Sequence, residues 1–293
     1  MQCRFRHITL VIFVLLTAAT SRGIAETWPA EYLFEESYIG DGDAQRSNKR
    51  IQDFDENDTL LQFVFTPRVK LGVLRVGVEY ERFSFGFGDR AEIPNTLQSL
   101  SAIIGLDTEL SDSIIVRIEA QPGSYGEEIG TGEFNVPFVI GGTYLYNPDL
   151  QFVLGIGVDV DRTYPVLPGG GIRWKFQPQW VLDAVLPTPR LEYELNKNFT
   201  LYLGGSFKEI TVRVDDRFGA TRARSIPRLN DAVLTYSEVR VGAGFDWKIT
   251  KWFSVNLEAG YQPYRNFDFY RADVRYHHES GAPYGMIAFH GAF

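Results

Sequence analysis

Two sets of residues in this sequence have the chemistry to do something. The first is His278 and Ser280, two apart in the run RYHHESGA at residues 275–282. A histidine that takes the serine proton creates a nucleophile for ester hydrolysis, provided a third group orients the ring. Residues two apart on a strand share a face, and Glu279 points the other way, so that third group has to come from elsewhere. The second set is a series of charges at alternating positions: Arg75, Glu79, Arg117, Glu119, Asp159, Arg173, Lys175, Glu238, Arg240, Asp246, Lys248 and Glu258. Charges of one sign around a passage select solutes, whereas charges of opposite sign pair and fill the space. The signs here are mixed, and both an open polar passage and a packed interior follow from them.

Minor candidates are weaker. The acidic run at 53–58 lacks the regular ligand spacing and glycine of a calcium loop, so a solvated outer loop is expected there. Arg217, Arg222, Arg224 and Arg228 make a basic loop, either solvated or able to pair with lipid-borne phosphates.

The elements that must position these residues alternate with period two. Phe253, Val255, Leu257, Ala259 and Tyr261 share one face against Ser254, Asn256, Glu258, Gly260 and Gln262. The same holds for Val239–Trp247 and for Leu150–Val160. The apolar faces carry bulky aromatics at the strand ends, and the opposite faces mix charges with glycines. Lipid outside and a wet, crowded lumen inside explain both features, which the solvent face of a soluble β-sandwich does not. Short turns at 67–71, 110–113, 147–150, 177–180, 196–199 and 249–252 alternate with longer loops at 41–57, 86–95, 123–132, 162–169, 215–232 and 265–282. The expected fold is an all-β, transmembrane, antiparallel up-and-down β-barrel of about fourteen strands, an even number with both ends on one side. It falls to twelve if the short 180–196 hairpin is an excursion. The first strand, 30–39, sets Glu36 on an otherwise aromatic face.

The ends of the chain give an address. A basic start at Arg4, Arg6 and His7, an apolar stretch from Ile8 to Ala19 and the small residues Gly23 and Ala25 predict a cleaved signal peptide over 1–25, leaving 26–293 as the barrel domain. Cys3, the one cysteine, leaves with it, so the exported chain has no disulfide. The formal charge is −8, and the leader holds arginines and no acid, so the exported chain is more acidic still. Nucleic acid is excluded as a partner, and no cofactor is expected.

Two local resemblances follow. The His278–Ser280 pair resembles the His-x-Ser element of outer-membrane phospholipases and lipid A deacylases, which implies a lipid hydrolase. Gly281 stands where those families commonly carry asparagine. The tail, with Ile287, Phe289 and the terminal Phe293 on one face, resembles the C-terminal signal through which the barrel assembly machinery recognises outer-membrane barrels, with Gly291 in place of the usual hydrophobic residue. The whole exported chain, with its glycine-rich strands and the hairpin LPTPRLEY at 186–193, resembles an uncharacterised family of bacterial outer-membrane β-barrels. That resemblance implies an outer-membrane location among lipids and lipopolysaccharide and supplies no active site. The functional expectation is a porin-like channel for small polar solutes or a structural or surface barrel, with the lipid hydrolase as the alternative.

Overall fold

The computed structural model describes residues 29–46, 49–86, 92–221, 223 and 226–293, and of residues 49–53, 278 and 279 only the backbone. The signal peptide expected over 1–25 lies outside the described residues, as do Arg222 and Arg224. Fourteen antiparallel strands close into a barrel. They are β1 Ala30–Arg46, β2 Lys49–Phe65, β3 Gly72–Phe85, β4 Thr96–Ser111, β5 Ile114–Ala120 continued by Gly123–Gly126, β6 Glu133–Asn135 continued by Phe138–Asn147, and β7 Leu150–Val158. The second half runs β8 Val166–Gln177, β9 Trp180–Asp183, β10 Arg190–Glu194, β11 Phe199–Arg213, β12 Val233–Lys248, β13 Phe253–Phe269, and β14 Val274–Ser280 continued by Ala282–Ala292. The short hairpin β9–β10 is part of the wall, paired to β8 on one side and β11 on the other. The ring closes where Glu31–Ile39 of β1 pairs with Ala292–Tyr284 of β14.

The turns at the end bearing both termini are tight because side chains cap them. Asn147 Oδ1 accepts from the Asp149 amide at 2.9 Å, Asn196 Oδ1 from Asn198 at 2.8 Å and Phe199 at 3.1 Å, and Thr250 Oγ1 from Trp252 at 3.1 Å. These hydrogen bonds reproduce a backbone turn with an asparagine or threonine side chain. The opposite end departs from expectation. Segments 41–57 and 265–282 are strand over most of their length, as are residues 123–126 and 166–169. Their polar, glycine-bearing composition reads as loop, yet their period-two alternation continues, with one set of side chains buried inside the barrel. Phe54, Glu56 and Asp58 are all fully buried, so the acidic run is an inward-facing strand and not a solvated loop.

The outward face is apolar and, among the described residues, covered by no other segment. Leu154, Leu203 and Ile104 are 74%, 64% and 54% exposed, values that belong against lipid tails. Aromatic ladders run between neighbouring strands on this face: Phe289 stacks at 5.9 Å on Phe34 and at 6.0 Å on Phe253, and Phe199 at 5.7 Å on Trp247. Ile287 and Phe289 lie opposite Glu36 and Phe34, so the predicted assembly residues do share the lipid face. Gly291 has a reason of its own. It pairs with Tyr32, and a Cβ there would collide with the Tyr32 ring, which lies over the glycine and reaches Phe293 at 5.8 Å. The hydrophobic surface missing from the tail is supplied by the neighbouring strand's Tyr32 ring. Glu36 stays on this face by accepting from Thr59 Oγ1 at 2.7 Å and Asn57 Nδ2 at 2.8 Å.

Candidate functional site: a lumen in two parts

Inward-facing side chains divide into two regions. One lies between β1–β2 and β11–β13. Here the alternation of β2 and β12 sets Glu56 and Asp58 against Glu238 and Arg240, and the interior is too narrow for water to reach them. Arg240 holds Asp58 at 3.0 Å, Glu238 at 2.6 Å and Ser37 Oγ at 2.8 Å. Lys208 donates to Glu35 and Asp58 at 2.6 Å each, and Arg265 to Glu56 at 3.2 Å. Tyr236 donates its hydroxyl to Glu56 at 2.7 Å, and Gln262 donates to Glu238. The carboxylates of Glu56, Asp58 and Glu238 are completely buried. Charges removed from water survive only when paired this closely.

Toward the outer end this network gives way to an apolar core of Phe54, Phe83, Phe85, Phe267, Phe269 and Tyr276. The connection between β11 and β12 folds into it. Its short helix Phe218–Thr221 and 3-10 turn Pro227–Leu229 bury Phe218, Ile226 and Leu229. Phe85 meets Phe267 and Tyr236 edge-on at 5.1 and 5.3 Å, the geometry aromatic quadrupoles favour. The end of β11 leans across the mouth, where Arg213 pairs with Gly126 of β5 and the Asp215 amide donates to Glu127 at 2.9 Å.

The second region lies against β5–β10, and its charges are wet. Arg173 joins Asp183 and, at 3.4 Å, Glu192, while Lys175 joins Glu194 at 2.6 Å. Their side chains keep from 14% to 39% of their exposure. Arg117 holds Asp107 through two bonds of 2.7 Å, and Arg75 spans Glu31 and Glu119 at 2.9 Å each. Asp159, buried at the outer end, accepts from Asn135 at 2.8 Å. Glu79 accepts from Gln62 at 2.7 Å, Asp246 from Asn256 at 2.7 Å, and Glu258 from Tyr202 at 2.6 Å. Lys248 is exposed beside the inner turn.

These charges do not form one site. Glu238 and Arg240 belong to the buried network, Arg75 and Asp159 are buried in pairs of their own, and Arg117, Arg173 and Lys175 are the exposed ones against β5–β10. Of the network's remaining members, the sequence places Gln262 on the polar face of its strand, and assigns Glu56 and Asp58 to a solvated outer loop. Glu35, Lys208, Tyr236 and Arg265 are not singled out from sequence.

The hydrolase pair fares differently. His278 and Ser280 sit on β14, not in a loop, with backbones opposite Ala44 and Asp43. Ser280 is exposed, and the His278 side chain lies outside those described. The fold lends the lipid hydrolase built on His278 and Ser280 no support. In the basic loop, Arg217 is exposed beside Asp216 and Arg228 donates to the Asp273 carbonyl at 3.2 Å. Among the described residues no cluster of three or more histidine, cysteine or acidic groups could hold a metal.

Fold and lumen together define a transmembrane β-barrel of the outer-membrane type, with a polar interior that is partly filled. The chain belongs to the family described as Domain of unknown function (DUF6268), whose model matches residues 61–286. No curated protein matches it in sequence. Among solved structures it is similar to the COG4313 outer membrane channel from Pseudomonas putida F1, at 9% identity and a TM-score of 0.51, over 91% of this chain and 96% of that one. A Pseudomonas aeruginosa FadL homologue follows at 9% identity and a TM-score of 0.46, over 91% of each chain. A KdgM porin aligns at 9% identity and a TM-score of 0.38, over 90% of this chain and 99% of that one. At such identities the likeness is one of fold.

Proposed function

We propose that the protein is an outer-membrane channel for small polar solutes, exported by its first twenty-five residues and inserted by the barrel assembly machinery through the strand carrying Ile287, Phe289 and Phe293. Outer-membrane lipids and lipopolysaccharide surround it in this reading. One observation carries the proposal: the interior keeps solvent-exposed, mixed-sign ion pairs against β5–β10, where a merely structural barrel would pack them as tightly as the Glu56–Arg265 network. Rings of charged and polar groups facing water are how pores admit hydrated solutes. The buried network and apolar core narrow the passage and do not fill the wet region. Purified protein in planar bilayers should give discrete conductance steps. Absence of steps at any voltage, with the barrel demonstrably folded, would reduce it to a structural or surface barrel.

A further inference from the structure

Glycine occurs on the inward face of two opposite walls, and its surroundings differ. On β12 and β13 the space beside Gly242, Gly244 and Gly260 is taken by the rings of Tyr284 and Tyr202. On β6, β7 and β8, Gly141, Gly155 and Gly169 lie directly opposite one another in a single row, with Gly157 just above. A Cβ on Gly141, Gly157 or Gly169 would meet, within 4 Å, only backbone of the adjoining strand. A Cβ on Gly155 is the tightest of the row, with the Ile140 carbonyl oxygen at 3.0 Å and the Gly141 Cα at 3.1 Å as its nearest neighbours. Among the described residues, no side chain comes within 4 Å of a Cβ built on Gly141, Gly157 or Gly169. Val139, beside Gly157 on the same inward face, is 48% exposed, though the lipid is on the other side of the wall.

The row is a floor of bare backbone between two paired walls. Arg117 stands directly beside Gly141 and is held by Asp107. On the other flank, Arg173 is held by Asp183 and Glu192. At the outer end Arg162 bridges to Glu209 at 2.6 Å across the mouth. Each of these three cations thus has a carboxylate at hand, and with four acids to three bases the floor carries only a small acidic excess. A passing ion would have to compete with these pairs, whereas a neutral or zwitterionic solute exchanges hydrogen bonds with both members.

We propose that solutes pass along this glycine floor on β6–β8, between the Arg117–Asp107 and Arg173–Asp183 pairs, and that the lane takes small neutral or zwitterionic polar molecules. The inference deepens the channel reading and rests on it. It assigns the path to one side of the lumen and leaves the buried network off the path.

The test uses the full exported chain from a Cys3→Ser background, since no other cysteine is present. Gly155→Trp should remove most of the conductance and most of the swelling of proteoliposomes in arabinose or free glycine, while Leu154→Trp, facing lipid, should leave both unchanged. Gly155→Cys should be modified by a charged, membrane-impermeant methanethiosulfonate, with conductance falling as it reacts. In a potassium chloride gradient the reversal potential should show at most a weak cation preference. A conducting wild type whose current survives Gly155→Trp, or a Gly155→Cys that stays unreactive, overturns the path. Strong selection for one ion overturns the solute class. A wild type that does not conduct overturns the channel itself, and reactivity at Gly155→Cys then still tells an open lane from a filled one.

Discussion

Asp58–Arg240 and Glu194–Lys175 are the same kind of pair on the same face of the same barrel, yet one is sealed and the other is wet. The side chains of Asp58 and Arg240 are 0% and 2% exposed, and those of Glu194 and Lys175 are 37% and 36% exposed. The cause lies across the lumen. Asp58 is met from the far wall by the long side chains of Lys208 and Arg240, whereas Lys175 pairs with Glu194, two strands along its own wall. The polar face of a strand in a barrel is therefore defined by what it is not, lipid-facing. Whether it lines water or forms a core is decided by the size of the residues on the far wall.

The sharpest way to break this contrast is Arg240→Ala. It strands Glu238 without its counter-ion and leaves Asp58 to Lys208 alone, and a buried pair broken on one side costs about 3–5 kcal/mol. Urea unfolding from lipid vesicles should show that loss. Phe267→Ala should follow closely, because it opens a cavity in the aromatic core of the outer end at a cost of about 3–4 kcal/mol in the same assay. Tyr284→Phe removes the hydroxyl that donates to Glu258 and should cost about 1–2 kcal/mol with little change in packing. Lys175→Ala is the smallest: as a half-exposed pair it should change stability by about 0–1 kcal/mol. It should nevertheless move the reversal potential toward cation preference, since Glu194 is left alone on a wet wall. Equal stability losses for Arg240→Ala and Lys175→Ala would erase the distinction between the two regions.

Much of the barrel was legible in the sequence because lipid imposes a simple alternation on strands such as 150–158 and 253–262. The strand order, the inner turns and the lumen side of the charged residues followed from it. What stayed hidden is where alternation and composition disagree. Residues 41–57 and 265–282 are rich in aspartate and arginine, which signals loop. Their side chains are satisfied by partners up to some two hundred residues away, as Arg265 is by Glu56, and no local pattern records such a partner. Gly291 is the same lesson in small, since its anomaly is resolved only by Tyr32 at the other end of the chain. The catalytic reading of His278 and Ser280 took a local spacing for a site, when sites are made of contacts.

The strands also differ in height. β1, β2 and β13 have 17 residues each, against 9 in β7 and 4 and 5 in β9 and β10. From Tyr38, which is 52% exposed at the upper edge of the apolar belt, β1 continues to Arg46, roughly 25 Å of further chain at the usual rise per residue. A rim so uneven gives the molecule a front and a back. In an outer membrane the tall side would stand as a parapet among the sugar chains of the outer leaflet, and the low side would leave a doorway at the level of the lipid headgroups. Anything entering from outside would meet the threshold of the glycine floor first, arriving obliquely over the low sill.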